Sequence, residues 1–172
     1  NSGFFTAENI TINNPPLYIL FDLNSTLSPR FIQKIPNQNL HGIKDIDYLI
    51  VTHTDLVNQA ERLADYHRSN NLSVFVATTD QIFNEFSSGS QDVTAIRDFV
   101  KLLYDRGNLP GAERTFKHLL LFGDASYDFK NVEANNTNVV PIYQSYESNY
   151  PPITYCSDDY YAILDDDEGY WG

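Results

Sequence analysis

From Asp47 onward, apolar positions along the chain change period, and each change marks an element. Tyr48-Leu-Ile-Val51 is a short apolar run ending in Thr52-His53-Thr54-Asp55. Such a run, closed by polar residues, predicts a strand, with Thr54 or Asp55 available to cap a following helix. Apolar side chains then recur at Leu56, Val57, Ala60, Leu63 and Ala64, with the His67 ring in the next place. Offsets of three and four put these on one helical face, while Glu61, Arg62, Asp65 and Arg68 take the others. Ser69-Asn-Asn71 ends the helix. Leu72-Ser-Val-Phe-Val-Ala77, rich in β-branched residues, predicts a second strand.

A looser region follows, with Phe83-Asn-Glu-Phe86 and then Ser87-Ser-Gly-Ser90, a surface loop by composition. Asp92 can cap a second helix whose apolar face is Val93, Ile96, Val100, Leu103 and Tyr104; Gly107 and Pro110 close it. The run His118-Leu-Leu-Leu-Phe-Gly-Asp124 comes next. Four consecutive apolar residues predict a strand buried on both faces, as in a parallel sheet covered by helices. Strand, helix, strand, helix, strand makes two right-handed crossovers. The expected fold class is therefore α/β, a small open parallel sheet with helices on both faces. Asp124 falls at the carboxyl edge, where open α/β sheets bind their ligands. Past Asp128 the helical period disappears. Val139-Val-Pro-Ile-Tyr143 predicts a short edge strand, since proline is tolerated there. Tyr146, Tyr150, Tyr155, Tyr160, Tyr161 and Tyr170 stud an irregular segment that is expected to bury rings while keeping hydroxyls bonded.

Residues 1–46 read differently. Phe4-Phe5-Thr6 and Leu17-Tyr-Ile-Leu-Phe21 are strand-like, punctuated by Asn-Pro-Pro and Ser-Pro turns, and Asn37-Gln-Asn-Leu-His41-Gly42 is a connector. The expected organisation is a β-rich segment over 1–46, the end of a preceding β domain, and an α/β unit over 47–172. Beginning Asn-Ser-Gly, lacking methionine and stopping at Gly169-Tyr-Trp-Gly172, the sequence reads as a trimmed segment of something longer.

Hydrophobic residues at 42% support a real core, and the net charge of -12 excludes nucleic acid and an anionic membrane surface as natural partners. No run approaches the roughly 18 to 20 apolar residues of a membrane-spanning helix. Cations or basic partners suit the charge better, because Asp158 to Glu168 alone carries six carboxylates. Hard cations take oxygen ligands, so Asp158, Asp159, Asp165 and Asp167 are the candidate metal ligands, with calcium the candidate cofactor. A solvated acidic loop is the competing outcome.

Cys156, the single cysteine, stands beside Asp158 and Asp159, which oppose thiolate formation; a packed small residue is expected there. His53 and Asp124, at the ends of neighbouring strands, could form an acid–base pair at the cleft edge, with Asp128 nearby. The competing expectations are a loop histidine bonded to backbone and an aspartate capping a turn. His41, His67 and His118 have no acidic partner that the sequence places.

Four stretches together resemble the gingipain-type cysteine peptidases, and within them the sortases of the type IX secretion system. They are residues 37–42 leading into 47–55; Ala95-Ile-Arg-Asp-Phe-Val100; Leu119-Leu-Leu-Phe-Gly-Asp-Ala-Ser-Tyr-Asp-Phe-Lys130; and Pro141-Ile-Tyr-Gln-Ser145 followed by Ser157-Asp-Asp-Tyr-Tyr161. The resemblance implies a caspase-like fold of two subdomains, of which this chain is the first. It also implies a His-Cys dyad in the second subdomain, in Gly-His-Gly and Ala-Cys contexts that this sequence lacks, so no catalytic residue carries over. It implies calcium binding, and a cell-surface enzyme, on the extracellular face of the outer membrane, that removes C-terminal sorting domains from secreted cargo. The partners implied are the catalytic subdomain, that cargo and other secretion components. The chain alone is expected to be inactive. Two alternatives stand beside this: a self-sufficient module binding a cation or basic partner through residues 157–168, and a small hydrolase built on His53 and Asp124.

Overall fold

The computed structural model describes residues 21–22, 24, 26–129, 132, 134–145, 155–165 and 168. Contacts divide the chain into two compact units, residues 1–36 and 37–172. In the first, residues 26–36 carry neither helix nor strand, and the strands expected at 4–6 and 17–20 lie outside the described residues.

In the second unit, β1 (Tyr48–Thr52), β2 (Val74–Thr78) and β3 (His118–Phe122) form a parallel sheet in the order β2-β1-β3. The register runs Tyr48 beside Val74 and His118, and Thr52 beside Thr78 and Phe122. Period-two alternation splits the core into two layers. Leu49 and Val51 face α2 (Thr79–Phe86) and α3 (Val93–Gly107), where Ile82, Phe83, Ile96, Phe99, Val100 and Leu103 are buried. Ile50 faces α1 (Val57–Ser69), whose Ala60 and Ala64 let the helix lie close. The expected α/β class, with helices on both faces of a parallel sheet, is what forms.

Several details depart from expectation. The strand buried on both sides is β1, not β3: residues 49–52 of β1 are buried, whereas 119–122 of β3 are half-buried and pair with one neighbour among the described residues. The crossovers put β2 and β3 on opposite flanks of β1, so an apolar run alone does not place a strand within its sheet. Neither Thr54 nor Asp55 caps α1. A 3₁₀ turn at Thr54–Leu56 precedes it, and His53 is the cap, its Nδ1 accepting from Asp55 N at 3.3 Å. The helix ends at Asn70 and the left-handed Asn71 (φ 68°), a conformation that Asn tolerates. Asp92 caps α3 as expected, accepting from Thr94 N.

The looser region 79–86 is a helix. Thr78 accepts from Gln81 N at 3.2 Å while Gln81 Oε1 accepts from Thr78 N at 2.9 Å. This reciprocal capping box was legible as Thr-x-x-Gln before Ile82-Phe83. The strand expected over 139–143 is shorter and shifted. β4 (Tyr143–Gln144) pairs antiparallel with β5 (Cys156–Ser157). Pro141 and the use of Val139 N and Val140 N on the Asp124 carbonyl keep the preceding residues out of a ladder.

Residues 37–46 pack with the α/β unit: Leu40 and Ile46 are buried in its core. Leu40–Gly42 form a 3₁₀ turn held from both ends. At its start Glu85 accepts from Leu40 N (2.7 Å), His41 N (3.1 Å), Gln38 Nε2 (3.0 Å) and pairs with His41 Nδ1 (2.8 Å). At its end Arg106 donates to the carbonyls of His41 (2.6 Å) and Ile43 (2.8 Å). His41 therefore has the acidic partner that the sequence did not place, and its ring stacks on Phe86 at 4.4 Å.

Candidate functional site

β1 and β3 leave the sheet side by side, and their carboxyl ends flank the point where strand order reverses. Thr52 Oγ1 donates to Phe122 O at 2.7 Å and ties the two exits together. After β3 the chain turns at Gly123, where an added Cβ would sit 2.8 Å from Val139 Cγ1 and 3.0 Å from Val140 Cγ2. That approach is why glycine precedes Asp124.

The two candidate acid–base residues are each engaged elsewhere. His53 Nδ1 lies 3.4 Å from Asp55 Oδ2, on its own turn. Asp124 accepts from Ala125 N (3.0 Å) and Thr137 Oγ1 (2.8 Å), and its carbonyl takes Val139 N and Val140 N. Asp128 is buried, accepting from Val132 N at 3.0 Å and from Asn136 Nδ2 through both its carbonyl and Oδ2. Together with Ser126 N on Asn138 Oδ1 (3.1 Å), these bonds fold residues 124–129 and 134–140 over the sheet edge. Asp124 and Asp128 act as turn builders, as Asx-type bonding favours.

The tyrosine-rich segment is fastened along α3 by basic and hydroxyl side chains. Arg97 donates twice to Ile163 O (3.1 and 2.6 Å) and lies over the Tyr160 ring, and Lys101 donates to Leu164 O at 2.9 Å. Thr94 Oγ1 is 3.2 Å from Tyr160 Oη, and Tyr160 stacks on Tyr143 with centroids 4.5 Å apart. Tyr161 is wholly buried and donates to Pro141 O; burial, then the Asp158 charge, pushes its phenol well above the usual range. Tyr161→Phe should cost about 1–2 kcal/mol, because Pro141 O loses its donor inside the core. Urea denaturation measures this, with unchanged stability as the contrary result.

The acidic positions do not converge. Glu168 accepts from Leu164 N (2.8 Å) and Asp165 N (3.0 Å), and these two bonds hold its carboxyl below the ordinary range. Asp165 takes the Tyr104 hydroxyl at 3.3 Å, and its charge raises that phenol. Asp158 and Asp159 are exposed, with Asp159 N donating to Ser157 Oγ. Asp167 lies outside the described residues. Among the described residues no group of three or more His, Cys, Asp or Glu side chains could hold a metal ion. They do not fit a calcium site, which needs six to eight oxygens.

Cys156 is exposed on β5 rather than packed. Each imidazole has its partners in other places: His41 on Glu85, His53 on Asp55, and His67 and His118 on the Tyr48 ring, 4.8 and 5.5 Å away. Among the described residues there is thus no thiol–imidazole pair. The arrangement makes a wall of turns and tyrosines over the carboxyl edge of the sheet.

A parallel sheet with helices on both faces and loops packed over its carboxyl edge defines a small α/β unit. The model of peptidase family C25 matches residues 42–171, so the chain belongs to that family, the gingipain family of cysteine peptidases. It is also similar to the crystal structure of dimeric latent PorU from Porphyromonas gingivalis, at 38% identity and a TM-score of 0.70. The likeness covers 85% of this chain and 14% of that one, so the chain spans a small part of the length of its relative. No curated protein sequence matches. Among the described residues no helix is long and apolar enough to cross a membrane.

Proposed function

We propose that residues 37–172 are the non-catalytic first subdomain of a cell-surface C25 cysteine peptidase of the sortase type, one that removes C-terminal sorting domains from type IX secretion cargo. In this role the chain buttresses the catalytic subdomain and supplies one wall of the substrate cleft. The wall is the carboxyl edge of the sheet, roofed by residues 124–129, 134–145 and 155–165. The observation that carries this assignment is the 38% identity to PorU over 85% of this chain, which covers only 14% of the PorU chain. The engagement of all four imidazoles away from Cys156 supports it. The chain's own residues orient and exclude water; the nucleophile and its base come from the catalytic subdomain. The partners are that subdomain, the secreted cargo and other secretion components.

The test uses the longer polypeptide and a secreted cargo carrying its sorting domain. Cys156→Ala and His53→Ala should each leave removal of that domain within about twofold of the parent, since neither touches the reacting atoms. Failure of the parent to trim the cargo would contradict the sortase assignment. A loss of 10²-fold or more in either variant would contradict the non-catalytic one.

A further inference from the structure

Where Tyr161 buries its ring, Tyr127 and Phe129 leave theirs 71% and 57% exposed on the loop that follows β3. Phe129 lines a cavity of about 280 Å³ with Val93, Pro141 and Ile142, and another of about 300 Å³ with Asn136 and Asn138; Gln91 lines both. Cavities at the small end of the range for ligand pockets suit single side chains rather than a folded surface. Amides stand around this apolar floor. Gln91 Nε2 reaches Phe129 O only at 3.5 Å, and Asn138, whose Oδ1 accepts from Ser126 N, has no acceptor for its Nδ2 among the described residues. In a chain of net charge -12, Asp92 is the one ionised side chain lining either cavity among the described residues.

β4 adds a backbone hook at the same place. Ser145 N donates to Tyr155 O at 3.0 Å, so residues 145 and 155 are a bonded pair of the ladder and Gln144, opposite Cys156, belongs to an unbonded one. Gln144 therefore directs its own N–H and C=O away from β5, to a side where no strand lies among the described residues, and it lines the first cavity. We infer that this corner of the wall is a subsite for an extended, uncharged stretch of the cargo polypeptide. The inference rests on the reading of the chain as the cleft wall of a C25 peptidase and adds what that wall selects. One apolar side chain enters the cavity against Phe129 and Ile142, the neighbouring backbone bonds to Gln144, and the Gln91 and Asn138 amides take its carbonyls. An extended chain is the occupant because a strand alternates between backbone groups free to pair and side chains turned to one face, which matches a free N–H and C=O beside a pocket for one side chain. An acidic residue would meet Asp92, so the subsite selects against carboxylates.

Binding of a fluorescent peptide spanning the junction between cargo and sorting domain tests this, read by anisotropy on rapid mixing with the longer polypeptide, ahead of any cleavage. Phe129→Glu puts a carboxylate in the pocket from an exposed loop position, so its Tm should match that of the parent while the peptide binds about tenfold more weakly. Gln91→Ala, also exposed, should weaken binding about threefold. In a peptide series with one junction residue at a time changed to lysine, one member should regain affinity for Phe129→Glu, a rescue that a merely structural role would not give. Absence of binding to the parent, affinity unchanged in both variants, or no rescue by any lysine peptide would each overturn the inference. So would unchanged affinity with a lowered Tm in Phe129→Glu, which would make the catalytic subdomain the occupant. Binding is read independently of trimming. A polypeptide that shows the weakening and the rescue but trims no cargo sinks the sortase assignment alone; one that trims cargo with affinity indifferent to these variants sinks this inference alone.

Discussion

Replacing Asp47 with alanine should lower the stability of the α/β unit by about 3 kcal/mol, the lower end of the range for breaking a buried ion pair. On a domain of this length that is a fall in Tm of roughly 6–12 °C. Asp47 sits where all three strands begin. Its side chain, 9% exposed, accepts from Ser73 N at 2.8 Å, at the entry to β2, and from Arg114 ahead of β3. Its carbonyl takes Lys117 N and His118 N, each at 3.0 Å. Burial pushes the carboxyl up, but the Ser73 amide, the Arg114 guanidinium and the Lys117 charge together bring it below the ordinary range. Removing it strands the Ser73 amide and an arginine, though Arg114 still reaches water, which sets the cost at the low end. A folded-state value below the unfolded one means the contribution is fully present above about pH 4 and fades as pH falls further. Thermal denaturation of Asp47→Ala and Arg114→Ala measures both sides of the pair. The aspartate change should cost more, because it also orphans Ser73; equal or negligible costs would contradict this role.

Glu85→Ala should be of similar size, about 3 kcal/mol, because one carboxylate satisfies two backbone N–H groups and two side chains, and bonds to a charged acceptor are the stronger kind. Burial pushes this carboxyl up; the Leu40 amide, the His41 ring, Gln38 and the His41 amide outweigh it and hold it at about 2. The sign follows as for Asp47. The contribution is complete above about pH 4.5, the unfolded value, and is lost as pH falls through about 2. Glu85→Gln keeps the shape and one acceptor but not the charge, so its deficit against the parent should be largest at pH 7 and shrink toward pH 2. Urea titrations of both proteins at pH 7, 4 and 2.5 read this directly. A deficit independent of pH would assign the effect to packing instead.

Much of the fold was legible because its signals are local. The stripe Ala60–Leu63–Ala64, the Asp92 cap, the Asn71 terminator and the apolar runs of all three strands each follow from a few neighbouring residues. What escaped was set by long-range partners. Glu85 and Gln38 are far apart in sequence, so the clamp on residues 38–43 could not be read, and neither could the partner of His41. The rank of β3 in the sheet depends on which flank of β1 a crossover lands, and no window of sequence records that. The helix at 79–86 is a different case: Thr78 and Gln81 carried its start signal, but the short apolar face Ile82–Phe83–Phe86 has too few turns to show a period.

The candidate site divides the same way. His53 and Asp124 were placed by strand position alone, and they follow the ends of β1 and β3 in the structure; Asp128 is buried in the loop beyond. Their bonding to Thr137, Asn136 and Asp55 is a matter of loop geometry, which turns an apparent acid–base pair into two separate turns. The acidic segment was legible as charge but not as a set of separate tasks: Glu168 capping a turn, Asp165 holding Tyr104, Asp158 and Asp159 left at the rim of a cavity.

The central claim is that this unit shapes a peptidase without performing its chemistry. The most direct measurement is hydrolysis of a panel of peptides by residues 1–172, before and after alkylation of Cys156. The expected result is no turnover above the uncatalysed rate in either state, since a thiol without a base is a poor nucleophile. Turnover that alkylation of Cys156 abolishes would contradict it.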